Sequence, residues 1–141
     1  MPKYIQFSRE SECWSTPQAL YDRLDSMYHF TLDAAANDEN HKCAKYFTKK
    51  DDGLAQSWQG ESVFCNPPYG RVIRDWVKKA YDESQNGALV VMLLPVRTSV
   101  AWFQDYVYPH AKVEFIRGRV KFGNAKNPAP FDSMVCVFGE V

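Results

Sequence analysis

Four consecutive residues, Asn66-Pro67-Pro68-Tyr69, have the types and order for one demanding reaction: transfer of a methyl group to an amino nitrogen on a planar, conjugated system. The lone pair of such a nitrogen is delocalised, so it is a poor nucleophile. It improves when its two N–H groups are held by acceptors that favour a tetrahedral nitrogen. The side-chain carbonyl of Asn66 is one acceptor, and the backbone carbonyl of Pro67 is the other. Successive prolines fix φ and push the residues before them away from helical geometry, which holds both acceptors rigidly. A sulfonium methyl donor already carries a good leaving group, so positioning is most of what the protein must add. Tyr69 offers an aromatic face, and a nucleobase drawn out of its stack regains about 1–3 kcal/mol on such a face. Alone, the four residues point to a planar amino nitrogen and not to a particular base; a Pro-Pro pair also simply stops a strand.

The chemistry needs a strand before the motif and a helix after it. Ser62-Val63-Phe64-Cys65 predicts that strand, stopped by Pro67-Pro68. From Arg71 to Gln85 the apolar residues Val72, Ile73, Trp76, Val77 and Ala80 recur at helical spacing, and Asn86-Gly87 ends the pattern. Ala88 to Leu94 is a continuous aliphatic run, as expected of a central parallel strand covered on both faces. Upstream, Ser15 or Thr16 predicts a helix cap with Pro17 in the first turn, and Leu20, Leu24 and Met27 on one face. Phe30-Thr31-Leu32 predicts a short strand ending at Asp33, followed by an irregular polar loop over 37–60 with one short helix. Downstream, 98–108 predicts an amphipathic helix, and 113–116, 120–122 and 134–138 predict strands, the last two pairing as a hairpin around the Gly/Asn/Pro-rich loop 123–130. The order is that of an α/β fold: one domain over 1–141, with a mixed sheet and a C-terminal β-hairpin. Ligands in open α/β sheets bind beyond the carboxyl ends of the strands, where both Asp33 and Asn66 fall.

With 141 residues, 45% of them apolar, the chain is long enough for a real core. No apolar run approaches the ~18 residues of a bilayer span, and the N-terminus lacks the pattern of a signal peptide, so the expectation is a cytoplasmic protein without a membrane partner. Cysteines at 13, 43, 65 and 136 form no CxxC pair, which points away from a metal site or a disulfide framework. The net charge of zero is not that of a strongly basic nucleic-acid binder, but acids lead before residue 63 and bases after it. A DNA surface therefore belongs to the second half. Its candidate phosphate contacts are Arg71, next to the motif, Arg97, after the buried strand, and Arg117, Arg119 and Lys121, with Lys126 beyond; alternation puts 117, 119 and 121 on one face of a continuous strand. Trp58, Trp76 and Trp102 read as core, and His29, His41 and His110 lack a catalytic partner.

From Trp14 to Phe138 the chain resembles the phage-type DNA N-6-adenine methyltransferases, the small Dam-like proteins of bacteriophage and prophage genomes. The matching pieces are Trp14-Ser15-Thr16-Pro17 with Leu20-Tyr21, Leu32-Asp33-Ala34-Ala35-Ala36, Asp52-Gly53-Leu54 with Trp58, Phe64-Cys65-Asn66-Pro67-Pro68-Tyr69-Gly70, Leu93-Leu94-Pro95 with Arg97-Thr98, and Arg117-Gly118-Arg119 with Phe122. The resemblance implies an abridged Rossmann-like S-adenosylmethionine-dependent fold. It also implies methyl transfer from S-adenosylmethionine to adenine N6 in double-stranded DNA, with the base flipped into the Asn-Pro-Pro-Tyr pocket. By the same resemblance Asn66, Pro67, Pro68 and Tyr69 are catalytic. Thr16-Pro17 enclose the methionine end of the cofactor, with Trp14 the near-site aromatic; Asp33 lies close to the methionine amine, and Asp52 is the candidate for the adenosine end. Ala34 and Asn66 complete the expected cofactor contacts.

Two departures from the family pattern bear on this. Ala34-Ala35-Ala36 stands where a glycine-rich turn is usual, and the short stretch between Asp33 and Asn66 leaves little room for two further strand–helix units. No separate target-recognition domain is expected, so reading of the DNA falls to the loops 37–60 and 117–131 or to a second subunit in a homodimer. The Asn-Pro-Pro-Tyr motif also occurs in enzymes that methylate RNA or a protein glutamine amide. A non-catalytic DNA- or cofactor-binding module is a further alternative.

Overall fold

The sheet is built around the most apolar stretch of the chain. The computed structural model describes residues 15–123 and 127–140, and there Leu89–Pro95 forms the central strand. Three strands run parallel: β1 (Leu32–Asp33), β2 (Ser62–Cys65) and β3 (Leu89–Pro95). Two more, β4 (Lys112–Phe115) and β5 (Ser133–Phe138), are antiparallel to each other, and β5 lies against β3. The order β1-β2-β3-β5-β4 makes a mixed sheet in a mixed α/β protein.

Strand parity divides the core. Val63, Cys65, Val90, Met92 and Leu94 face one side, where α2 (Ile73–Gln85) packs through Ile73, Trp76, Val77 and Ala80. Phe64, Val91, Leu93, Val135 and Val137 face the other, where α1 (Gln18–Tyr28) packs through Tyr21 and Leu24. Burial on both faces is why β3 is apolar at every position rather than at alternate ones. No helix among the described residues is long and apolar enough to cross a membrane.

Three expectations are corrected. Pro17 is the N-cap of α1 rather than part of its first turn, and no side chain caps the helix; the Pro17 carbonyl accepts the Tyr21 N–H, and the Thr16 hydroxyl is engaged elsewhere. The inward face of α1 is centred on Tyr21 and Leu24, leaving Met27 51% exposed, because Tyr21 sets its ring edge-on against Phe64. The helix expected over 98–108 forms over 101–110, but its middle (Phe103–Val107) is π-helical and leads into α3 (Tyr108–His110). The Tyr108 N–H reaches back five residues to Phe103, and Pro109 has no N–H to offer.

The late hairpin differs most. Residues 120–122 form no strand; β5 takes β4 as its partner, joined by a long connection over 116–132. Val120 and Phe122 still alternate inward, but they bury the connection against the α1 side of the sheet instead of extending it. Gly118, at φ +76°, breaks the extended path that a strand through Arg117 and Arg119 requires. Gly123 N–H to Ser15 O (2.8 Å) and Ala129 N–H to Val120 O (2.8 Å) fasten the connection. Arg117, Arg119 and Lys121 are therefore all exposed, though not as one face of a strand.

Candidate active site

β1 and β2 end side by side, and their carboxyl ends open on a cavity of about 730 Å³. The last ladder bond between them is Ala34 N–H to Phe64 O (3.1 Å). Beyond it the chain cannot continue pairing, because Pro67 and Pro68 carry no N–H. The Asn66-Pro67-Pro68-Tyr69 stretch thus leaves the sheet where Asp33 does, and all five residues line the cavity. Gly70, at φ +116°, provides the reversal into the turn before α2, a conformation that disfavours any side chain.

Asn66 is oriented by α1's leading segment. Its Nδ2 donates to Thr16 Oγ1 at 3.1 Å, across 50 residues of sequence. Thr16 is 4% exposed, so this partner is fixed. The donation distinguishes the two ends of the amide and makes Oδ1 the acceptor, the role that activation of an amino nitrogen requires. Tyr69 forms part of the cavity wall with its ring in an aromatic cluster: edge-on to Phe122 (centroids 6.2 Å, 84°) and tilted to Phe131 (5.4 Å, 59°). Burial pushes its phenol well above the ordinary range, so it stays protonated.

Asp33 is the buried acid of the site, 4% exposed. Its Oδ2 accepts the Lys42 backbone N–H at 2.9 Å, and Oδ1 accepts the Ala35 N–H at a long 3.4 Å. Burial raises its pKa; the two N–H donors and the nearby charges of His41 and Lys42 offset only part of that. A carboxylate in this state gains from a cationic ligand group. Lys42 itself lines the cavity, its Nζ donating to Gln18 Oε1 at 2.9 Å.

The opposite wall is apolar, formed by Phe47, Leu54, Val72 and Trp76. It depends on the short 3₁₀ turn Gly53–Ala55. A Cβ on Gly53 would stand 2.4 Å from the Ala34 carbonyl oxygen and 3.0 Å from Trp76, so only glycine fits there. The fully buried Trp58 donates its Nε1–H to Gly53 O at 3.0 Å and holds the turn in place. Asp52, at φ 60°, precedes the turn and lines the cavity.

The structure thus brings Thr16, Asp33, Ala34, Asp52, Asn66, Pro67, Pro68 and Tyr69 to one cavity. Pro17 lies beside it, on a smaller recess of about 300 Å³ that shares Ser15 and Thr16 with the first. Arg71 and Arg97 are exposed, and neither lines the cavity; the same is true of Arg117, Arg119 and Lys121. Trp14 and Lys126 lie outside the described residues. Lys42, Phe47 and Thr48 line the cavity without having been singled out by sequence. They sit in an aperiodic loop, and the signal that places them is the pairing of residues 45–47 with β1, through Asp33 N–H to Lys45 O (3.1 Å) and Phe47 N–H to Asp33 O (3.0 Å).

Residues 6–135 match the family model for DNA N-6-adenine-methyltransferase (Dam). A DNA N-6-adenine-methyltransferase of Escherichia phage T1 is 36% identical over 96 residues, which are 67% of this chain and 40% of the relative. A protein of the same description from Haemophilus phage HP1 is 29% identical over 119 residues, covering 82% of this chain and 68% of the relative. The chain thus spans well under half the length of the phage T1 protein and about two thirds of the HP1 protein.

Proposed function

The chain belongs to the DNA N-6-adenine-methyltransferase (Dam) family, and from that premise we propose that it transfers a methyl group from S-adenosylmethionine to N6 of adenine in double-stranded DNA. The observation that carries the reading is the seating of Asn66-Pro67-Pro68-Tyr69 and the buried Asp33 on one cavity at neighbouring strand ends. We read the sheet as an abridged Rossmann-like methyltransferase fold in one domain, acting in the cytoplasm of a bacterial host cell.

The residues present suit the cofactor. The cavity falls within the roughly 300–1,000 Å³ typical of small-molecule sites. Asp33, desolvated and only partly compensated by the groups around it, suits the ammonium of the methionine end, with Thr16 and Ala34 beside it. The apolar wall of Phe47, Leu54 and Trp76 suits a purine, with Asp52 at that end. When bound, S-adenosylmethionine supplies an activated methyl group.

The remaining work falls to the chain. Asn66 Oδ1 and the Pro67 carbonyl accept the two N–H bonds of the target amino group and favour a tetrahedral nitrogen. Thr16 keeps the Asn66 amide from turning its NH₂ toward the substrate. Pro67-Pro68 hold both acceptors in place before the substrate arrives. A base can reach this site only by leaving the duplex, and the Tyr69 ring offsets part of the unstacking cost. Arg71, Arg97, Arg117, Arg119 and Lys121 hold the phosphates.

The test is Asn66→Ala. Transfer of tritiated methyl to duplex DNA is expected to fall at least about a hundredfold, as for loss of a positioned polar group in a transition state, while S-adenosylhomocysteine binding by calorimetry stays within a few-fold. Near-normal transfer by the variant overturns the assignment. Label from the wild-type protein appearing in RNA or in a protein amide, and not in DNA, overturns the substrate.

A further inference from the structure

Lys42 has no part in the roles given so far, yet it occupies an uncommon position. It is half-buried, lines the main cavity, and forms no ion pair among the described residues. Its backbone N–H is the closer of the two donors to the Asp33 carboxylate, so the acid and the lysine project from a single contact. Its Nζ is held by a neutral acceptor, Gln18 Oε1, at 2.9 Å, and Gln18 is itself fixed by donating to Asp22 Oδ1 at 2.8 Å. The Tyr21 ring lies 6.0 Å below the ammonium.

An ammonium that meets only an amide oxygen and a ring face retains capacity for an anion. Burial works against its charge, and the fields of Asp33 and Asp22 only partly restore it. A lysine with three donors and one protein hydrogen bond can still offer two. The neighbouring charge is a carboxylate suited to a cation. An ammonium site and a carboxylate site joined by one backbone contact match the two charged groups on the α-carbon of a free amino acid.

We infer that Lys42 binds the α-carboxylate of the cofactor's methionine end, opposite the ammonium held by Asp33, so that the two residues together select a methyl donor carrying an intact amino-acid group. This rests on the cofactor reading above and adds the residue that recognises the second charge. Gln18, which lines the smaller recess beside the cavity, acts as a positioning residue by holding the lysine's ammonium at the border between the two.

The experiment compares two ligands by calorimetry with the whole chain: S-adenosylhomocysteine, which has the amino-acid group, and 5′-methylthioadenosine, which lacks it. Lys42→Met is expected to weaken S-adenosylhomocysteine about ten- to a hundredfold, the loss of a hydrogen bond to a charged group. It should leave 5′-methylthioadenosine within about twofold, since that ligand has no carboxylate for the lysine to meet. Lys42→Arg should retain most of the affinity. Unchanged binding of S-adenosylhomocysteine by Lys42→Met overturns the inference and leaves the cofactor reading standing. Equal loss of both ligands also overturns it, by showing that Lys42 only shapes the loop. Failure of the wild-type protein to bind either ligand overturns the cofactor reading and the inference with it.

Discussion

The two polar residues at the ends of β1 and β2 are held by opposite means. Asn66 is neutral and oriented by a hydrogen bond to Thr16, whereas Asp33 is an acid buried against its own ionisation and only partly stabilised by two backbone N–H groups. Burial raises the pKa of Asp33 in the fold above its unfolded value. The group's contribution to stability is therefore full below the unfolded pKa of about 3.9 and is lost as pH rises through the raised folded value. As pH climbs through that raised value, ionising the buried carboxylate costs the empty protein stability. Asp33→Asn keeps one amide oxygen that can take the place of Oδ2 as acceptor for the Lys42 N–H, and it removes the charge. Its melting temperature at pH 7.5 is expected to equal or exceed that of the wild type, with the difference shrinking toward pH 4, while S-adenosylhomocysteine binding weakens at least about tenfold. A variant that melts several degrees lower at pH 7.5 would mean that the N–H contacts outweigh desolvation and that Asp33 is structural.

At the scale of elements, the apolar wall depends on the close approach of the Gly53–Ala55 turn to the end of β1. Ala34 cannot retreat, because its N–H is tied to Phe64 O in the ladder. Gly53→Ala places a methyl against that fixed carbonyl and should lower stability by about 1–3 kcal/mol, the usual cost of overpacking, read as a fall in the urea midpoint at unchanged slope. A midpoint equal to the wild type would show that the turn swings freely and does not define the wall. The elements that dominate the core were legible in the sequence: β3 as an unbroken aliphatic run, α2 as a helical period, and the strand ends at Asp33 and Asn66. Where sequence and structure part, one pattern had two physical sources. Val120 and Phe122 alternate as a strand does, but their alternation buries a connection rather than pairing a ladder. Lys42 and Phe47 gave no signal, because a short aperiodic loop reaches the cavity through two backbone hydrogen bonds to Asp33, and such bonds leave no imprint on residue type.

The whole chain is neutral, so any hold on DNA depends on where its charges lie rather than on their sum. The connection over 116–132 is placed to couple that hold to the site. Inward, its Phe122 and Phe131 rings meet Tyr69; outward, Arg117, Arg119 and Lys121 are exposed. Arg119 reaches Asp132 at 3.5 Å, but both partners are more than half exposed, and such a pair is worth little and yields easily to a phosphate. If these bases neutralise phosphates, duplex affinity must fall with salt, each contact adding about 0.9 to the slope of log K against log salt. The slope measured by fluorescence anisotropy on a short duplex should therefore decrease by about one for Arg117→Ala and about two for Arg117→Ala with Lys121→Ala, nearly independently of DNA sequence. Lys112→Ala, an exposed change on the edge strand β4, should leave it unchanged. A double variant with the wild-type slope would remove the connection from the DNA surface and leave Arg71, beside the motif, and Arg97, after β3, as the phosphate contacts to test next. Because the same segment touches Tyr69 from behind, the double variant also separates two roles: a purely electrostatic contact weakens DNA binding at constant turnover, whereas a connection that sets the position of Tyr69 lowers turnover on saturating DNA as well.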